Sequence, residues 1–382
     1  MKPARLVTLM VLASGLSVAW APTAAPAATH KVKPGDSIQA AVDAALPGDI
    51  VKVWPGDYVG VPAGTATAAV RITKPLKLLA KSKLKKGVKV RILPGPGQTD
   101  GILVEPANPG DPDVDGVTIK GFTVEGFSNN GIWLRHVQNF KIQGNESINN
   151  LENGIWPTLS ANGLVKKNVA YGSEDSALWV EASENVRVFK NEFYDSPTGL
   201  EITVSKNILV KKNEVHHNTV GIGLYHPSAA SLPPLGDDGD WEISGNHVHD
   251  NNATNTAPPG SMSAQLPPGG GILLLGVDRV TVENNRIENN GFFGVGVVDY
   301  CIVVADTDFD CDTNPPEVES APDDNLITRN ALWINGGSPP GGLFDLLAAD
   351  LAVLFAGTNN CFKDNTPPTL TSVFFFSTNE CN

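Results

Sequence analysis

The amino-acid sequence predicts an all-β protein, a single right-handed parallel β-helix with a short N-terminal capping helix and a disulfide-closed C-terminal end. Similar short segments recur about every 23 residues. Each segment alternates two apolar residues with polar ones, which is typical of a strand with one buried face. An asparagine then recurs at the sixth place. One such unit cannot bury its apolar face alone, so we expect successive units to stack as a solenoid.

The repeated segments define the coils. They are VTIKGF (117–122), FKIQGN (140–145), GLVKKN (163–168), VRVFKN (186–191), ILVKKN (208–213), WEISGN (241–246) and VTVENN (280–285). Their starts are 23, 23, 23, 22, 33 and 39 residues apart, and insertions explain the last two gaps. LITRN (326–330) and CFKDN (361–365) are degenerate copies. We expect the sixth-place asparagine to adopt left-handed backbone and to form a ladder at a coil corner.

A second strand follows in each coil, and it carries a column of tryptophans. In GIWLR (131–135), the alternation turns Ile132 and Leu134 inward and Trp133 and Arg135 outward. The next two coils place Trp156 and Trp179 at the position of Trp133. Such an aromatic platform suits sugar rings, which have an apolar face and a polar rim. The alternatives are that a loop covers the tryptophans or that they stack only on each other.

Ionisable residues on the same strands are candidates for catalysis. Glu181 and Glu201 lie on adjacent coils, displaced by two residues, which predicts a separation suited to an inverting hydrolase. A lyase would instead need a base and a cation near a uronate carboxylate, and the nearest candidates are Tyr225, His226 and Arg135. The alternative is that the two glutamates are merely solvated. Insertions at 227–240, 252–268 and 300–323 are expected to wall the upper half of this face.

The two ends of the chain predict export and capping. Residues 1–27 have the features of a signal peptide, with Lys2 and Arg5 before an apolar stretch and a small-residue cleavage site. We expect an N-terminal cap and first coils over 28–116, coils with loop insertions over 117–365, and a C-terminal cap over 366–382. Asp36 is the expected N-cap of the first helix, with Gln39 completing a capping box.

Charge and cysteine usage narrow the class of protein. The net charge of −13 argues against a nucleic-acid partner. The even number of cysteines in an exported chain predicts two disulfides. Short loops close most easily, which favours Cys301–Cys311 and Cys361–Cys381. No apolar stretch is long enough to predict membrane insertion, and we expect a monomer.

Two patterns predict metal binding. The segment 306–317 spaces oxygen ligands like a calcium loop, although Cys311 stands where glycine is expected at the sixth place. Its candidate calcium ligands are Asp306, Asp308, Asp310 and Glu317. Separately, His216 and His249 occupy equivalent places in adjacent coils, beside His217 and Asp250. Two histidines and aspartates at this spacing suit a transition metal, whereas the alternative is a row of turn residues bonded along a corner.

The segment 32–58, VKPGDSIQAAVDAALPGDIVKVWPGDY, followed by asparagine-marked coils, resembles the bacterial right-handed β-helix proteins of the pectin-lyase-like superfamily. The tail NNCFKDN (359–365) is similar to the C-terminal end of that group. The resemblance implies the fold strongly. It implies the chemistry weakly, because the superfamily includes lyases, hydrolases, epimerases, tailspikes, adhesins and a copper-linked accessory protein. The sequence contains neither the DPH motif of the epimerases nor the clustered aspartates of polygalacturonases.

Together these observations predict a secreted or periplasmic protein whose partner is a polysaccharide or a cell-surface glycan. It would bind an acidic glycan and act on it as a lyase, hydrolase or epimerase. Two alternatives are a non-enzymatic adhesion module and a periplasmic metal-linked accessory protein. Apart from calcium, no cofactor is predicted.

Overall fold

The computed structural model describes residues 26–61, 67–227, 232, 239–305, 311, 319–366 and 370–374. Most of the predicted signal peptide, the four predicted calcium ligands and Cys381 lie outside these residues. No helix in the described part of the chain is long and apolar enough to cross a membrane.

The described strands form three long parallel sheets of 12, 10 and 11 strands, which confirms the predicted all-β solenoid. The first sheet comprises Thr29–Val32, Ile50–Val53, Lys77–Ala80, Thr118–Lys120, Lys141–Gln143, Leu164–Lys166, Arg187–Phe189, Leu209–Lys211, Trp241–Ser244, Val280–Glu283, Leu326–Thr328 and Cys361–Lys363. The second comprises Gly56–Val59, Val90–Leu93, Thr123–Glu125, Glu146–Ile148, Val169–Tyr171, Glu192–Tyr194, Glu214–His216, His247–His249, Arg286–Glu288 and Ala331–Trp333. The third comprises Ala68–Ile72, Asp100–Val104, Ile132–Arg135, Ile155–Thr158, Ser176–Glu181, Thr198–Thr203, Val220–Tyr225, Gly270–Leu275, Phe293–Val298, Ala349–Leu354 and Leu370–Phe374.

The remaining elements are short. A two-stranded sheet pairs Val114–Asp115 with Val137–Gln138. Two α-helices span Ile38–Ala44 and Tyr300–Val304, and 3₁₀ turns span Leu84–Lys86, Met262–Gln265 and Gly342–Leu347.

The register between coils follows the sequence repeat. In the first sheet Ile142 pairs with Val165, which in turn pairs with Val188. All three side chains are fully buried in the central core. The apolar alternation therefore sets the register, because a slip by one residue would turn every one of these side chains to solvent.

The sixth-place asparagines form a buried ladder, but the left-handed backbone lies one residue earlier than predicted. Lys167 and Lys190 have φ values of 55° and 57°, whereas Asn168 and Asn191 follow them in ordinary backbone. The side chain of Asn168 is buried, and its Nδ2 donates both to Ile142 O and to Asn191 Oδ1. Asn191 Oδ1 also accepts from Asn168 N. The sixth place therefore requires asparagine because its side chain forms hydrogen bonds to the neighbouring coils. The residue before it adopts the left-handed backbone of the turn.

The N-terminal helix caps the core as expected, although its N-cap differs. Ile38, Val42 and Ala45 are buried in the central core. Ser37, rather than Asp36, is the N-cap, and its side chain accepts from Ala40 N. The Asp36 carboxylate instead accepts from Lys33 N in the preceding turn. Gln39 does not close a capping box, because its amide bonds to Asp43 and to the Arg71 backbone.

The first predicted disulfide is present. Cys301 and Cys311 are bonded to each other, and no described cysteine is free. Cys361 lies in the last strand of the first sheet. Its predicted partner, Cys381, lies outside the described residues.

Candidate functional site

The three predicted tryptophans lie in register on the outward surface of the third sheet. We call Trp133, Trp156 and Trp179 the tryptophan stack. Adjacent ring centroids are 5.0 Å and 5.1 Å apart, with interplanar angles of 8° and 6°. Each ring therefore covers the face of its neighbour. The expected platform of exposed ring faces is not formed, and the stack presents ring edges to solvent instead.

The indole N–H groups of the stack have different environments. Trp179 is 8% exposed, and its Nε1 donates to Thr203 Oγ1 at 2.9 Å. The Nε1 atoms of Trp133 and Trp156 are buried and donate no hydrogen bond within the described residues. A buried donor without a partner costs about 1–3 kcal/mol. Both nitrogens are shielded from solvent, so the surface that the stack offers to a ligand is its ring edges.

A groove extends the site below the stack. The loop 106–113 and the strand end at Arg135 enclose a depression of about 570 Å³. Arg71 lines it and forms an ion pair of 2.9 Å with Glu105. Arg135 is exposed and makes no ion pair with the described residues. We call this depression the arginine groove. Glu105, Asp111 and Asp113 also line it, and Glu105 pairs with Arg71, so the place that favours an anionic group is the free guanidinium of Arg135.

Carboxylates lie beside the stack and above it. Asp100, Glu152 and Asp175 lie where the third-sheet strands begin, whereas Glu201 lies in register with Trp179 on the next coil. We call Asp100, Glu152, Asp175 and Glu201 the acidic strip. Asn130 Nδ2 donates to Asp100 at 3.0 Å and to Glu152 at 3.5 Å. Further along, Ser176 Oγ donates to Glu201 Oε2 at 2.6 Å. Asn153 lies on the coil between those of Asn130 and Ser176, at the equivalent position. It is fully buried, and neither its side-chain oxygen nor its side-chain nitrogen has a hydrogen-bond partner among the described residues.

Burial perturbs the acids of the strip. It raises the pKa of Glu201 well above its usual value, and the charges of Asp175 and Glu181 raise it further. Burial likewise raises the pKa of Asp175, against a hydrogen bond from Ser263 that lowers it. The pKa of Glu152 is raised by desolvation and then by the charges of Asp175 and Asp100. Carboxyl groups that keep a proton at higher pH are suited to act as general acids.

The predicted catalytic residues are less accessible than expected. Glu181 is 0% exposed and Glu201 only 4%, so the two glutamates are not a solvated pair on an open face. Tyr225 and His226 are fully buried. Tyr225 Oη lies 3.1 Å from Thr198 Oγ1. Of the five predicted catalytic side chains, the structure leaves only that of Arg135 exposed.

The described residues of two insertions, 252–268 and 300–323, explain the burial of Tyr225 and His226. The sequence predicts that the insertions wall the upper half of the third sheet, whereas these residues pack over it. Met262 and Leu266 from one insertion, and Tyr300 and Val304 from the next, pack in one apolar cluster with Tyr225. The Tyr300 ring also stacks on His226 at 4.7 Å. Such packing excludes Tyr225 and His226 from an open binding surface, and it leaves the arginine groove and the lower part of the stack as the accessible region.

The histidine corner is assembled as predicted on the outward surface of the second sheet. The rings of Tyr171, Tyr194, His216 and His249 form one column, with successive centroids 4.5 Å, 5.1 Å and 5.1 Å apart. Burial lowers the pKa of His216, and the neighbouring His249 and His217 lower it further, against Glu192. His249 Nδ1 lies 2.7 Å from Asp250 Oδ2. The corner is therefore an ordered cluster, remote from the tryptophan stack in the coil.

Several residues of these sites were not singled out from the sequence. Glu152 and Asp175 are 23 residues apart, so the repeat itself would have placed them in one column. His247 alternates with His249 and so shares its outward face. Ser263 carries no sequence signal, because it reaches the acidic strip from an insertion 88 residues after Asp175.

Comparisons with known proteins agree with this architecture. A family model described as a right-handed β-helix region matches residues 101–232. No curated protein sequence matches the chain significantly. Among solved structures, the A-module of the mannuronan C-5 epimerase AlgE4 from Azotobacter vinelandii has a TM-score of 0.57 at 14% identity, covering 89% of this chain and 95% of that one.

Two further solved structures are similar. The DFA-IIIase of Arthrobacter chlorophenolicus A6 in complex with GF2 has a TM-score of 0.53 at 15% identity, covering 90% of this chain and 82% of that one. A double mutant of the periplasmic alginate epimerase AlgG has a TM-score of 0.53 at 16% identity, and the match covers 86% of this chain and 73% of that one. At these identities the likeness concerns the fold. The chain thus has the fold of a right-handed parallel β-helix.

Proposed function

We propose that this protein binds an extended acidic glycan along the third sheet, from the arginine groove across the lower tryptophan stack to the acidic strip. The observation that carries the proposal is the exposed guanidinium of Arg135, which makes no ion pair with the described residues and ends the strand that carries Trp133. Trp156 lies in register with Trp133 on the next coil, and both side chains are partly exposed. Partly exposed aromatic edges beside a cation suit a sugar ring that carries a carboxylate.

The arginine groove supports an anionic ligand. Arg135 is exposed at one end of the outward surface, and Arg71 lies in the same groove, where its charge is partly balanced by Glu105. A guanidinium recognises a carboxylate through two parallel hydrogen bonds. A uronate-containing glycan would therefore place a carboxylate at Arg135 and its rings along the edges of Trp133 and Trp156.

The similar proteins give independent but weaker support. Two of them are named for activity on mannuronan and alginate. A polysaccharide-acting protein of this fold is expected to be exported, in accord with the predicted signal peptide at residues 1–27. We include export to the periplasm or cell exterior in the proposal. Calcium at Asp306, Asp308, Asp310 and Glu317 remains a prediction, to be tested separately.

Catalysis on the bound glycan is a second candidate function, favoured by Glu201. Its raised pKa keeps the carboxyl group protonated at higher pH than an ordinary glutamate, as a general acid requires. Asp175 belongs to the same strip and carries a similarly raised pKa. Asp175 is the less buried of the two acids, and Ser263 of the covering insertion donates a hydrogen bond to it.

Binding to polymannuronate, polygalacturonate and the neutral polymer dextran tests the first proposal. We expect an anionic polymer to bind and dextran not to bind. Trp156→Phe shortens the partly exposed aromatic edge, and Arg135→Gln removes the charge. Each should weaken binding by about tenfold. Trp333→Phe is the matched control, because Trp333 lies on the second sheet and is 43% exposed.

The outcomes separate the two functions. If neither Trp156→Phe nor Arg135→Gln alters binding while Trp333→Phe does, the glycan does not use this face. If the wild-type protein binds but produces no reducing ends, no unsaturated sugars and no change in the C-5 configuration of the uronate residues, measured by nuclear magnetic resonance, it is a binding or adhesion module. Product formation that Asp175→Asn abolishes, with binding retained, would establish the catalytic function.

A further inference from the structure

The second sheet carries a separate cluster, formed by residues that the glycan proposal does not use. Four of the seven histidines in the sequence lie on two adjacent coils here, namely His216, His217, His247 and His249. Glu214 pairs with His247 in register, and His216 pairs with His249. Because alternate residues of a strand share a face, Glu214, His247 and His249 point outward together.

Three of these side chains bring ligand atoms together. One side-chain atom from each of Glu214, His247 and His249 lies within 4.8 Å of the other two. The His247 and His249 ring centroids are 4.0 Å apart. Ligands around a tetrahedral ion with bonds of about 2.1 Å are separated by about 3.4 Å. The two rings are stacked at an interplanar angle of 27°, so one imidazole must rotate for both in-plane lone pairs to meet at one ion.

Both imidazoles are oriented by a carboxylate on one ring nitrogen. Asp250 Oδ2 lies 2.7 Å from His249 Nδ1, and Glu288 Oε1 lies 2.9 Å from His247 Nε2. A carboxylate accepts a hydrogen bond only from a protonated nitrogen, so in each neutral ring the other nitrogen carries the lone pair. A histidine held in this way is the usual arrangement around protein-bound metals.

The lone-pair nitrogen of His249 has no competing partner. Its Nε2 is buried and accepts no hydrogen bond from the described residues. Glu214 Oε1 lies 3.6 Å from it, which is too far for a hydrogen bond. The column formed by Tyr194 and His216 packs against the His249 ring and fixes its plane. The nitrogen thus faces Glu214 across a gap of the size that an ion would bridge.

We propose that Glu214, His247 and His249 form a binding site for one divalent transition-metal ion, oriented by Asp250 and Glu288. Two imidazoles and a carboxylate suit Zn²⁺, Cu²⁺ or Ni²⁺ rather than Ca²⁺ or Mg²⁺, which prefer all-oxygen ligands. The site lies on a different sheet from the proposed glycan surface, so it is independent of that function.

Equilibrium dialysis of the untagged full chain against Zn²⁺ and Cu²⁺ tests the proposal. Because other parts of the chain also contain metal-binding groups, the variants rather than the total stoichiometry decide the outcome. We expect the double variant His247→Gln/His249→Gln to lose one ion per chain. Glu288→Gln, which removes an orienting group, should weaken this ion by about 10–100-fold. In the Cu²⁺ form, electron paramagnetic resonance should show coupling to imidazole nitrogen that the double variant loses.

His217→Gln is the matched control within the same cluster. His217 Nδ1 lies 2.7 Å from His216 Nδ1, outside the proposed ligand set, so this variant should retain the ion. Thermal unfolding of each apo variant confirms that it is folded. Unchanged metal stoichiometry and affinity in the folded double variant would overturn the proposal. So would loss of the ion in His217→Gln with retention in the double variant.

Discussion

Ser263 Oγ donates a hydrogen bond of 2.5 Å to Asp175 Oδ1, joining two residues that are 88 positions apart in the chain. Asp175 belongs to the acidic strip, whereas Ser263 lies in the 3₁₀ turn Met262–Gln265 of the covering insertion. Met262 and Leu266 on either side are buried in the apolar cluster above the third sheet. This hydrogen bond therefore holds the insertion 252–268, which we call the cover, against the acidic strip.

Ser263→Ala should loosen the cover without unfolding the solenoid. Removing the hydroxyl leaves the largely buried Asp175 carboxyl without this donor, which costs about 1–3 kcal/mol. We expect faster amide hydrogen exchange over 252–268 and no change in the strands of the first sheet. Ser261→Ala, which removes only a cap within the same turn, is the control. Equal exchange rates in wild type and Ser263→Ala would show that apolar packing alone holds the cover.

The stability of the protein should depend on pH through Glu201. Burial raises its pKa in the folded state, so the folded protein retains a proton that the unfolded chain loses above about pH 4.3. Stability contributed by this group is therefore present at low pH and is lost as the pH rises towards the folded-state pKa. Each unit of pKa separation corresponds to about 1.4 kcal/mol.

Glu201→Gln provides the measurement, because glutamine resembles the protonated acid and can still accept from Ser176. We expect similar unfolding free energies for variant and wild type at pH 4. Above that pH the variant should become progressively more stable than wild type. A constant difference between pH 4 and pH 8 would mean that Glu201 ionises normally. The control is Glu184→Gln, a surface glutamate whose side chain lies on the exposed part of its coil.

Trp156→Ala should destabilise the fold as well as any glycan complex. An outward side chain on an open face contributes little to stability, but Trp156 packs between Trp133 and Trp179. Loss of two aromatic contacts and of partial burial should cost about 2–3 kcal/mol. Denaturant unfolding measures this loss of unfolding free energy. The control is Trp333→Ala, which should change the unfolding free energy by less than about 1 kcal/mol. A similarly small effect of Trp156→Ala would indicate that the stack contributes nothing to folding.

Asn168→Asp tests the asparagine ladder. The Nδ2 of Asn168 donates to Ile142 O and Asn191 Oδ1, and aspartate would place an acceptor against both oxygens. Burying that unpaired charge should cost about 3–5 kcal/mol. Asn162→Asp is the control, since the side chain of Asn162 is exposed and bonds to Gln138. Thermal unfolding of both variants gives the comparison, and equal melting temperatures would contradict the structural role of the ladder.

The sequence predicts the features that follow the repeat, but it does not predict the contacts that the insertions make with distant coils. Alternation and period placed Trp133, Trp156 and Trp179 in one column, because identical coils impose identical positions. The period does not reveal that the three rings stack face to face, because the tilt of each ring depends on packing and not on the spacing of the coils. The sequence does not reveal the burial of Tyr225 and His226, because the residues that cover them belong to insertions, which follow no repeat. The docking of these insertions depends on apolar contacts such as those of Met262 and Tyr300.

The asparagine ladder has a consequence for how the chain is made. Asn145 N donates to Asn168 Oδ1, and Asn168 N donates to Asn191 Oδ1, so each coil obtains this acceptor only from the coil that follows it in the sequence. A chain that is exported from its N-terminus presents the N-terminal coils first. The coil that has most recently emerged therefore has an unsatisfied turn until the next coil arrives, and assembly advances one coil behind emergence of the chain.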